Sequence, residues 1–255
     1  MLPFDEIGSG PVIVLLHAGV GDRTMWREQL APLADAGHRV LALDLLGFGE
    51  AALTPGPQAP WDDVIETIAG LGIERAALVG NSLGGAVALR VALIAPALTS
   101  ALVLISSPAP VMDPISPQLR AAWDAEGAAL DRDDLEGAVE AVVNAWTLPD
   151  APEALRERIA AMQRRALILQ NATPDVTEAP DPLEEDPAAL ARIETPALVA
   201  AGEHDMPDFI RAAEEMAAAL PNARHELIAH AGHLAPLETP VAFRRLVLDF
   251  LAEHP

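Results

Sequence analysis

A serine flanked by glycines, Ser82, is the residue of this chain best placed to act as a nucleophile. It lies in the segment 80–85 (GNSLGG), between an apolar run over 76–79 and a helical pattern over 86–95. A strand that enters a helix through so tight a turn leaves no room for a Cβ at the flanking positions, and glycine tolerates this backbone. The turn would lift the serine Oγ above the sheet edge, where the N–H groups of the following helix point. The motif therefore predicts a nucleophilic serine at position 82.

A serine hydroxyl becomes an effective nucleophile when a histidine accepts its proton and a carboxylate orients that histidine. In chains with this kind of turn, the acid and then the histidine follow the serine. Asp205 comes after a late apolar run, and His233 stands in a glycine-containing loop before the last helical pattern. We expect these two residues to complete a catalytic triad. Asp208 and Glu203 are alternatives for the acid, and His230 is the alternative for the histidine.

Attack of a serine on a carbonyl group also requires donors for the negative charge that develops on oxygen. The N–H of Leu83, directly after the serine, is one expected donor. The second should come from the loop at 17–21, where we assign Gly19 and keep Val20 as the alternative. His17 is expected to hold this loop through backbone hydrogen bonds rather than to take part in the chemistry.

Short apolar runs alternate with helical patterns over most of the chain, and these runs are apolar on both faces. Such strands occur in parallel sheets covered by helices, so the sequence predicts an α/β fold. Predicted strands lie at 12–16, 39–43, 76–79, 101–105, 197–201 and 225–229. Helical patterns alone are found between 108 and 192. We therefore predict a core domain formed by 1–107 and 193–255, with an all-helical lid at 108–192 over the carboxyl ends of the strands, where ligands bind in such sheets.

Large apolar side chains in the lid and in the body could shape a substrate pocket. The candidates are Val20, Trp26, Met112, Trp123, Trp146 and Met206. Each also fits a position in the hydrophobic core, which is the commoner role of such residues. If they line the site, they favour an apolar acyl or alcohol group.

Composition excludes several other kinds of chemistry and partner. The 255 residues carry a formal net charge of −22 and contain no cysteine, no tyrosine and, since all sixteen basic residues are arginine, no lysine. Disulfides, cysteine nucleophiles, thiolate metal sites and lysine Schiff bases are therefore excluded. Nucleic acid and anionic membranes are unexpected partners because both bind basic surfaces. No signal-peptide pattern and no run of about 20 apolar residues is found, so we expect a cytoplasmic protein.

Taken together, the motifs resemble those of the α/β-hydrolase superfamily over nearly the whole chain. They are LLHAG at 15–19, MW at 25–26, DLLGFG at 44–49, the segment around Ser82, GEHD at 202–205 and AGH at 231–233. The chain looks most like small-lid carboxylesterases, 3-oxoadipate enol-lactonase-like enzymes and cofactor-free haloperoxidases, and the resemblance implies a lid after the sixth strand. It departs from the family in having Leu46 where an arginine is usual. We also expect most of the family's first strand to be missing, because little sequence precedes residue 7.

The resemblance implies a serine hydrolase for small or medium carboxylic esters or lactones, with no metal and no organic cofactor. Haloalkane dehalogenases and epoxide hydrolases of this fold use an aspartate where this chain has Ser82. Two alternatives stay open: hydrolysis of a C–C bond in vinylogous diketones, and ligand binding without catalysis. The segment after His233, LAPL at 234–237, lacks the tryptophan expected of C–C hydrolases. The expected partner is a small-molecule ester or lactone, and the chain is expected to be a monomer or a homodimer.

Overall fold

A seven-stranded sheet forms the centre of the protein. The computed structural model describes residues 1–173 and 175–254. The described residues form the strands β1 (Phe4–Gly8), β2 (Val12–Leu16), β3 (Arg39–Leu43), β4 (Gly56–Gln58), β5 (Ala76–Asn81), β6 (Thr99–Ile105), β7 (Val176–Glu178), β8 (Ala197–Gly202) and β9 (Ala223–Ile228). Of these, β4 and β7 form a separate two-stranded sheet. The main sheet has the order β1-β3-β2-β5-β6-β8-β9, and its neighbouring pairs are parallel except β1 with β3. This order puts β5, which precedes Ser82, in the middle of the sheet.

Helices connect the strands and cover the sheet. They are α1 (Arg27–Asp35), α2 (Pro60–Gly70), α3 (Leu83–Ile94), α4 (Pro117–Leu130), α5 (Leu135–Trp146), α6 (Glu153–Asn171), α7 (Pro182–Glu185), α8 (Pro207–Ala219), α9 (Ala235–Glu238) and α10 (Pro240–Glu253). Among the residues described, no helix is both long enough and apolar enough to cross a bilayer.

Two hydrophobic cores, one on each face of the sheet, explain why a central strand such as β2 is apolar on both faces. Successive side chains of a strand point to opposite faces. Accordingly, Val14 and Leu16 belong to the core that includes α3, whereas Ile13 and Leu15 belong to the core that includes Phe243 of α10. Because both faces of β2 are buried over 13–16, these four residues are all apolar. The predicted α/β fold with a mostly parallel sheet is confirmed.

The little sequence that precedes residue 9 forms the first strand of this sheet, β1, and the expectation that most of the family's first strand is missing stays a prediction. β1 is an edge strand that runs antiparallel to β3, with Phe4 opposite Leu43 and Gly8 opposite Arg39. Its residues are half-buried or exposed. An edge strand with a solvent-facing side needs no apolar run, and for this reason its sequence, FDEIG, gives a weak strand signal.

The segment 108–192 contains α4, α5 and α6, but the expectation that it is all-helical is wrong. Its strand β7 pairs in parallel with β4 through three residues on each side. The N–H of Gly56 donates to the carbonyl of Asp175 at 2.9 Å, and the N–H of Ala179 donates to the carbonyl of Gln58 at 3.0 Å. Backbone hydrogen bonds alone define such a short ribbon, so no alternating pattern marks it in the sequence.

Arg23 forms ion pairs that hold the loop after β3. It forms an ion pair with Asp44, whose side chain is fully buried, and it reaches Glu50 at 2.9 Å and Asp5 at 3.2 Å. The backbone N–H of Arg23 also donates to Asp44 at 2.7 Å. The loop after β3 is therefore held by an arginine that comes from a different part of the sequence.

Candidate active site

Ser82 occupies a strained turn between β5 and α3. Its backbone angles are φ +53° and ψ −116°, a region that costs a residue with a side chain of order 1–3 kcal/mol. Two backbone hydrogen bonds hold this conformation. The Ser82 N–H donates to the carbonyl of Ile105 at 2.8 Å, and the Ser82 carbonyl accepts the N–H of Gly85 at 2.9 Å. A Cβ on Gly84 would overlap the carbonyl of Leu16, so the motif glycine is required for β2 and α3 to approach each other.

The structure brings Asp205 and His233 together. Nδ1 of His233 lies 3.0 Å from Oδ1 and 3.2 Å from Oδ2 of Asp205. Oδ1 also accepts the N–H of Met206 at 2.8 Å. The side chain of Asp205 is fully buried, and that of His233 is 5% exposed. A carboxylate in this position favours the tautomer with the proton on Nδ1, in which Nε2 is able to accept a proton.

The competing residues have other contacts. Asp208 is fully buried, but its Oδ1 accepts the N–H of Ser116 at 2.7 Å. Glu203 is exposed and accepts the N–H of His230 at 3.0 Å. Neither carboxylate is among the hydrogen-bond partners of the His233 ring in the part of the chain that the structure describes.

Asn81 connects the serine turn to the histidine loop, a role that the sequence analysis missed. The side chain is fully buried, and its Nδ2 donates to the carbonyl of His233 at 3.0 Å and to that of Ile105 at 3.1 Å. The residue directly before Ser82 therefore anchors the backbone of His233. An amide at the end of an otherwise apolar strand was the available signal, because a buried amide needs partners.

Gly19 and Leu83 are neighbours at the end of β2. A Cβ on Gly19 would lie 3.7 Å from the Cβ of Leu83, so the two residues are in van der Waals reach. Leu83 is the first residue of α3, where backbone N–H groups have no acceptor within the helix. The glycine loop thus lies over the start of α3, beside Ser82.

His17 holds this loop from beneath. Its Nδ1 donates to the carbonyl of Ala18 at 2.8 Å, and its Nε2 accepts the N–H of Leu45 at 3.0 Å. The ring is fully buried, and burial lowers its pKa from the ordinary value. Both ring nitrogens are occupied by backbone groups, so His17 is neutral and joins the loops after β2 and β3.

Aromatic rings cover His233. The ring centroid of Trp146 lies 4.5 Å from that of His233, and the centroid of Phe209 lies 4.3 Å away. Met206 and Phe209 form a small hydrophobic cluster, against which Met112 and Trp146 pack. Trp146, Met206 and Met112 were among the predicted substrate-binding residues, and Phe209 was missed.

The other three predicted substrate-binding residues do not belong to the group around the ring of His233. Trp26 has no exposed surface, and its ring packs against that of Phe243 with the centroids 5.8 Å apart. The ring therefore belongs to the hydrophobic core between the sheet and α10, and the prediction that Trp26 contacts substrate is wrong. Trp123 exposes 48% of its surface on α4 and is not part of the aromatic cover. Val20 is half-buried and lies beside Met162 of α6, with no space for a water molecule between them.

Glu238 is a further titratable group near the histidine. Its Oε2 accepts the N–H of Gly232 at 2.7 Å, and burial raises the pKa of its carboxyl. The contact holds the loop directly before His233 from the side of α9. Nothing in the sequence motif pointed to this residue.

A cavity of about 440 Å³ opens beside Leu83. Its walls are mainly apolar and include Leu46, Trp61, Val87, Pro108 and Ala109. Arg90, which is 5% exposed, and Asp181 border the same cavity and form an ion pair at 2.8 Å. The cavity has the size and lining of a site for a small organic ligand.

Known proteins show extensive similarity to this chain. A relative from Pseudomonas savastanoi pv. phaseolicola, named "Putative carbamate hydrolase RutD", is 32% identical over 94% of this chain and 93% of its own length. The 2-hydroxy-6-oxo-6-(2'-aminophenyl)hexa-2,4-dienoic acid hydrolase of Metapseudomonas resinovorans is 29% identical over 98% of this chain and 87% of its own. The solved structure of a thermophilic esterase from Thermogutta terrifontis superposes with a TM-score of 0.82 at 28% identity, covering 100% of this chain and 94% of the other.

The family model described as alpha/beta hydrolase fold matches residues 11–240. This range contains the serine turn, the Asp205–His233 pair and the loop of Gly19. Hydrolases are also what the names of the similar proteins describe. The chain therefore belongs to the α/β-hydrolase family and is a hydrolase of that fold.

Proposed function

We propose that this hydrolase cleaves a small or medium carboxylic ester or lactone through an acyl-enzyme on Ser82. The observation that carries the proposal is the Asp205–His233 hydrogen bond, tied through Asn81 to the strained turn at Ser82. A buried carboxylate that orients a histidine beside a serine is the arrangement that activates serine for acyl transfer. The esterase from Thermogutta terrifontis lends support through its shared fold and 28% identity.

In the proposed reaction, the Oγ of Ser82 attacks the substrate carbonyl carbon while Nε2 of His233 takes the hydroxyl proton. Asp205 stabilises the imidazolium that forms. The N–H groups of Leu83 and Gly19 donate to the oxyanion, and the intermediate collapses as His233 protonates the leaving alkoxide. A water molecule, deprotonated by His233, then attacks the acyl-enzyme and releases the acid and free Ser82.

The surroundings of His233 favour a substrate with an apolar part. Trp146 and Phe209 reduce the access of water to the ring, and a drier site strengthens the electrostatic interactions within it. The cavity beside Leu83 would accept an acyl or alcohol group. We propose that 108–192 acts as the lid of a core formed by 1–107 and 193–255, because Trp146 at the end of α5 reaches His233. A small-molecule substrate in the cytoplasm fits this proposal.

Hydrolysis of a C–C bond is the second candidate. It is favoured by the similarity to the 2-hydroxy-6-oxo-6-(2'-aminophenyl)hexa-2,4-dienoic acid hydrolase, which extends over 98% of this chain. The absence of a tryptophan at 234–237 counts against it. Both reactions would use the same serine and histidine, so the substrate and not the triad distinguishes them.

Hydrolysis of p-nitrophenyl esters from acetate to decanoate, by wild type and Ser82→Ala, tests the proposal. We expect kcat/KM to fall at least about 1,000-fold in Ser82→Ala. The matched control is Ser100→Ala, near the amino end of β6, which should retain full activity. Full activity of Ser82→Ala would refute the mechanism. Turnover of a ring-fission dienoate but of no ester would establish C–C hydrolysis, and a stable ligand complex without turnover, unaffected by Ser82→Ala, would indicate a binding protein.

A further inference from the structure

Three potential metal ligands from two loops converge on the surface beside the Asp205–His233 pair. Glu203 and His204 lie in the turn after β8, and His230 lies in the loop after β9. One oxygen or ring nitrogen from each residue lies within 4.8 Å of the corresponding atoms of the other two. All three residues are exposed, and Glu203 and His230 are 27 positions apart in the sequence. The sequence motifs predict no metal, because the three residues come together only in the tertiary structure.

The backbone around the cluster is already held in position. The N–H of Glu203 donates to the carbonyl of Ile228 at 3.0 Å, and the N–H of His204 donates to the carbonyl of Ala231 at 2.8 Å. His230 has a left-handed backbone, with φ +60°, and its N–H donates to Oε2 of Glu203. Only side-chain rotations are therefore needed to bring the three ligand atoms onto one ion.

The donor set matches a borderline divalent ion. Two imidazole nitrogens and one carboxylate oxygen are common zinc ligands, with bonds of about 2.0–2.2 Å in a tetrahedral arrangement. Such bonds put the ligand atoms about 3.3 Å apart, so exposed side chains need to move by about 1.5 Å or less. The N–H of His230 donates to Oε2 of Glu203, which lies 4.0 Å from Nε2 of His204, and Oε1 has no hydrogen bond among the residues that the structure describes. A net charge of −22 also concentrates divalent cations around the protein.

We propose that Glu203, His204 and His230 bind one divalent transition-metal ion, for which Zn²⁺ is the best match, with water in the remaining position. The ion would join the turn that carries Asp205 to the loop that carries His233. It would stabilise the folded protein as a clip between two loops and would take no part in the proposed reaction, since its ligands lie on the exposed side of both loops.

The test uses the metal-free full chain and Zn²⁺ alone, followed by isothermal titration calorimetry and thermal unfolding. We expect one site per chain and a Tm rise of about 5–10 °C when free Zn²⁺ is 100 times Kd. His204→Ala and His230→Ala should each weaken binding by more than about 100-fold, beyond the loss caused by an outer-sphere partner. Exposed residues are changed, so both variants should fold.

Control variants decide whether the assigned residues are the ligands. Glu226→Gln, an exposed carboxylate on β9, and His254→Ala, at the end of α10, should bind Zn²⁺ like wild type. Co²⁺ should give the visible absorption of a tetrahedral nitrogen–oxygen site, which Zn²⁺ abolishes. An unchanged Tm in wild type, or equal binding by His204→Ala and His230→Ala, would overturn the proposal. None of these measurements depends on esterase activity, so the result is independent of the proposed function.

Discussion

Replacing Asp205 by asparagine perturbs the candidate active site at one atom. Oδ1 of Asp205 accepts the N–H of Met206 at 2.8 Å, so the oxygen of an asparagine should stay at this position. Its amide nitrogen would then occupy the position of Oδ2, which lies 3.2 Å from Nδ1 of His233. Two donors would face each other there, although the retained oxygen, 3.0 Å from Nδ1, still offers an acceptor. Moving the proton from Nδ1 to Nε2 relieves this repulsion, but Nε2 is the nitrogen that accepts the proton of Ser82 in the proposed mechanism.

The expected loss follows from the electrostatics and the tautomer together. The amide of the Asp205→Asn variant carries no charge to stabilise the imidazolium, and its NH₂ group favours the unproductive tautomer; an equivalent change in a serine protease lowers kcat by about 10⁴. At 1.36 kcal/mol per factor of ten, a loss of 10³–10⁴ corresponds to about 4–5.5 kcal/mol of transition-state stabilisation. The fold should tolerate the change, because the hydrogen bond from Met206 is retained and the volume is nearly the same.

The assay is kcat for the best p-nitrophenyl ester, with thermal unfolding of each variant measured in parallel. Asp208→Asn is the matched control: an asparagine oxygen can still accept the backbone N–H of Ser116, so the variant should keep most of the activity and lose only the ion pair with Arg211 at 3.7 Å. Glu203→Gln, on the surface, should leave kcat nearly unchanged. A loss of less than tenfold in Asp205→Asn, or a larger loss in Asp208→Asn, would show that Asp205 is not the acid that orients His233.

Further predictions concern stability. Burial keeps His17 neutral in the folded protein, whereas the histidine of the unfolded chain takes up a proton below about pH 6.5. The urea midpoint of unfolding should therefore fall as the pH drops from 7.5 to 5.5, with up to about 1.4 kcal/mol of stability lost per pH unit. A His17→Asn variant should be less stable than wild type at pH 7.5, but its stability should depend less on pH. Arg23→Met leaves the buried carboxylate of Asp44 without its cation and should lower the free energy of unfolding in urea by about 3–5 kcal/mol. Arg39→Met removes one partner of a partly exposed ion pair and should lower it by about 1 kcal/mol or less. Equal losses in the two variants would contradict this reasoning. Gly84→Ala should abolish folding or lower Tm strongly, because its Cβ would overlap a carbonyl oxygen of β2, and an unchanged Tm would show that α3 can move away from the sheet.

Much of the scaffold follows from the sequence by itself. Runs such as Val12–Leu16 are apolar at every position, and a strand buried on both faces in a parallel sheet is the arrangement that requires this. The glycines around Ser82 specify the turn, because any larger residue at Gly84 would collide with β2. The order of Ser82, Asp205 and His233 along the chain identifies which carboxylate and which histidine meet, and the structure pairs these two residues.

Contacts between distant segments were decided only by the tertiary structure. Arg23 pairs with Asp44, Asn81 binds the backbone of His233, and Phe209 covers its ring, yet no local pattern joins these positions. Trp26 shows the converse: an aromatic residue beside the glycine loop became core, because Phe243 of α10 packs on it. Periodicity reports which side of an element is apolar, whereas the identity of the neighbour on that side depends on how the elements pack. The sequence therefore determined the sheet, the serine turn and the candidate triad, and packing between distant elements decided what surrounds them.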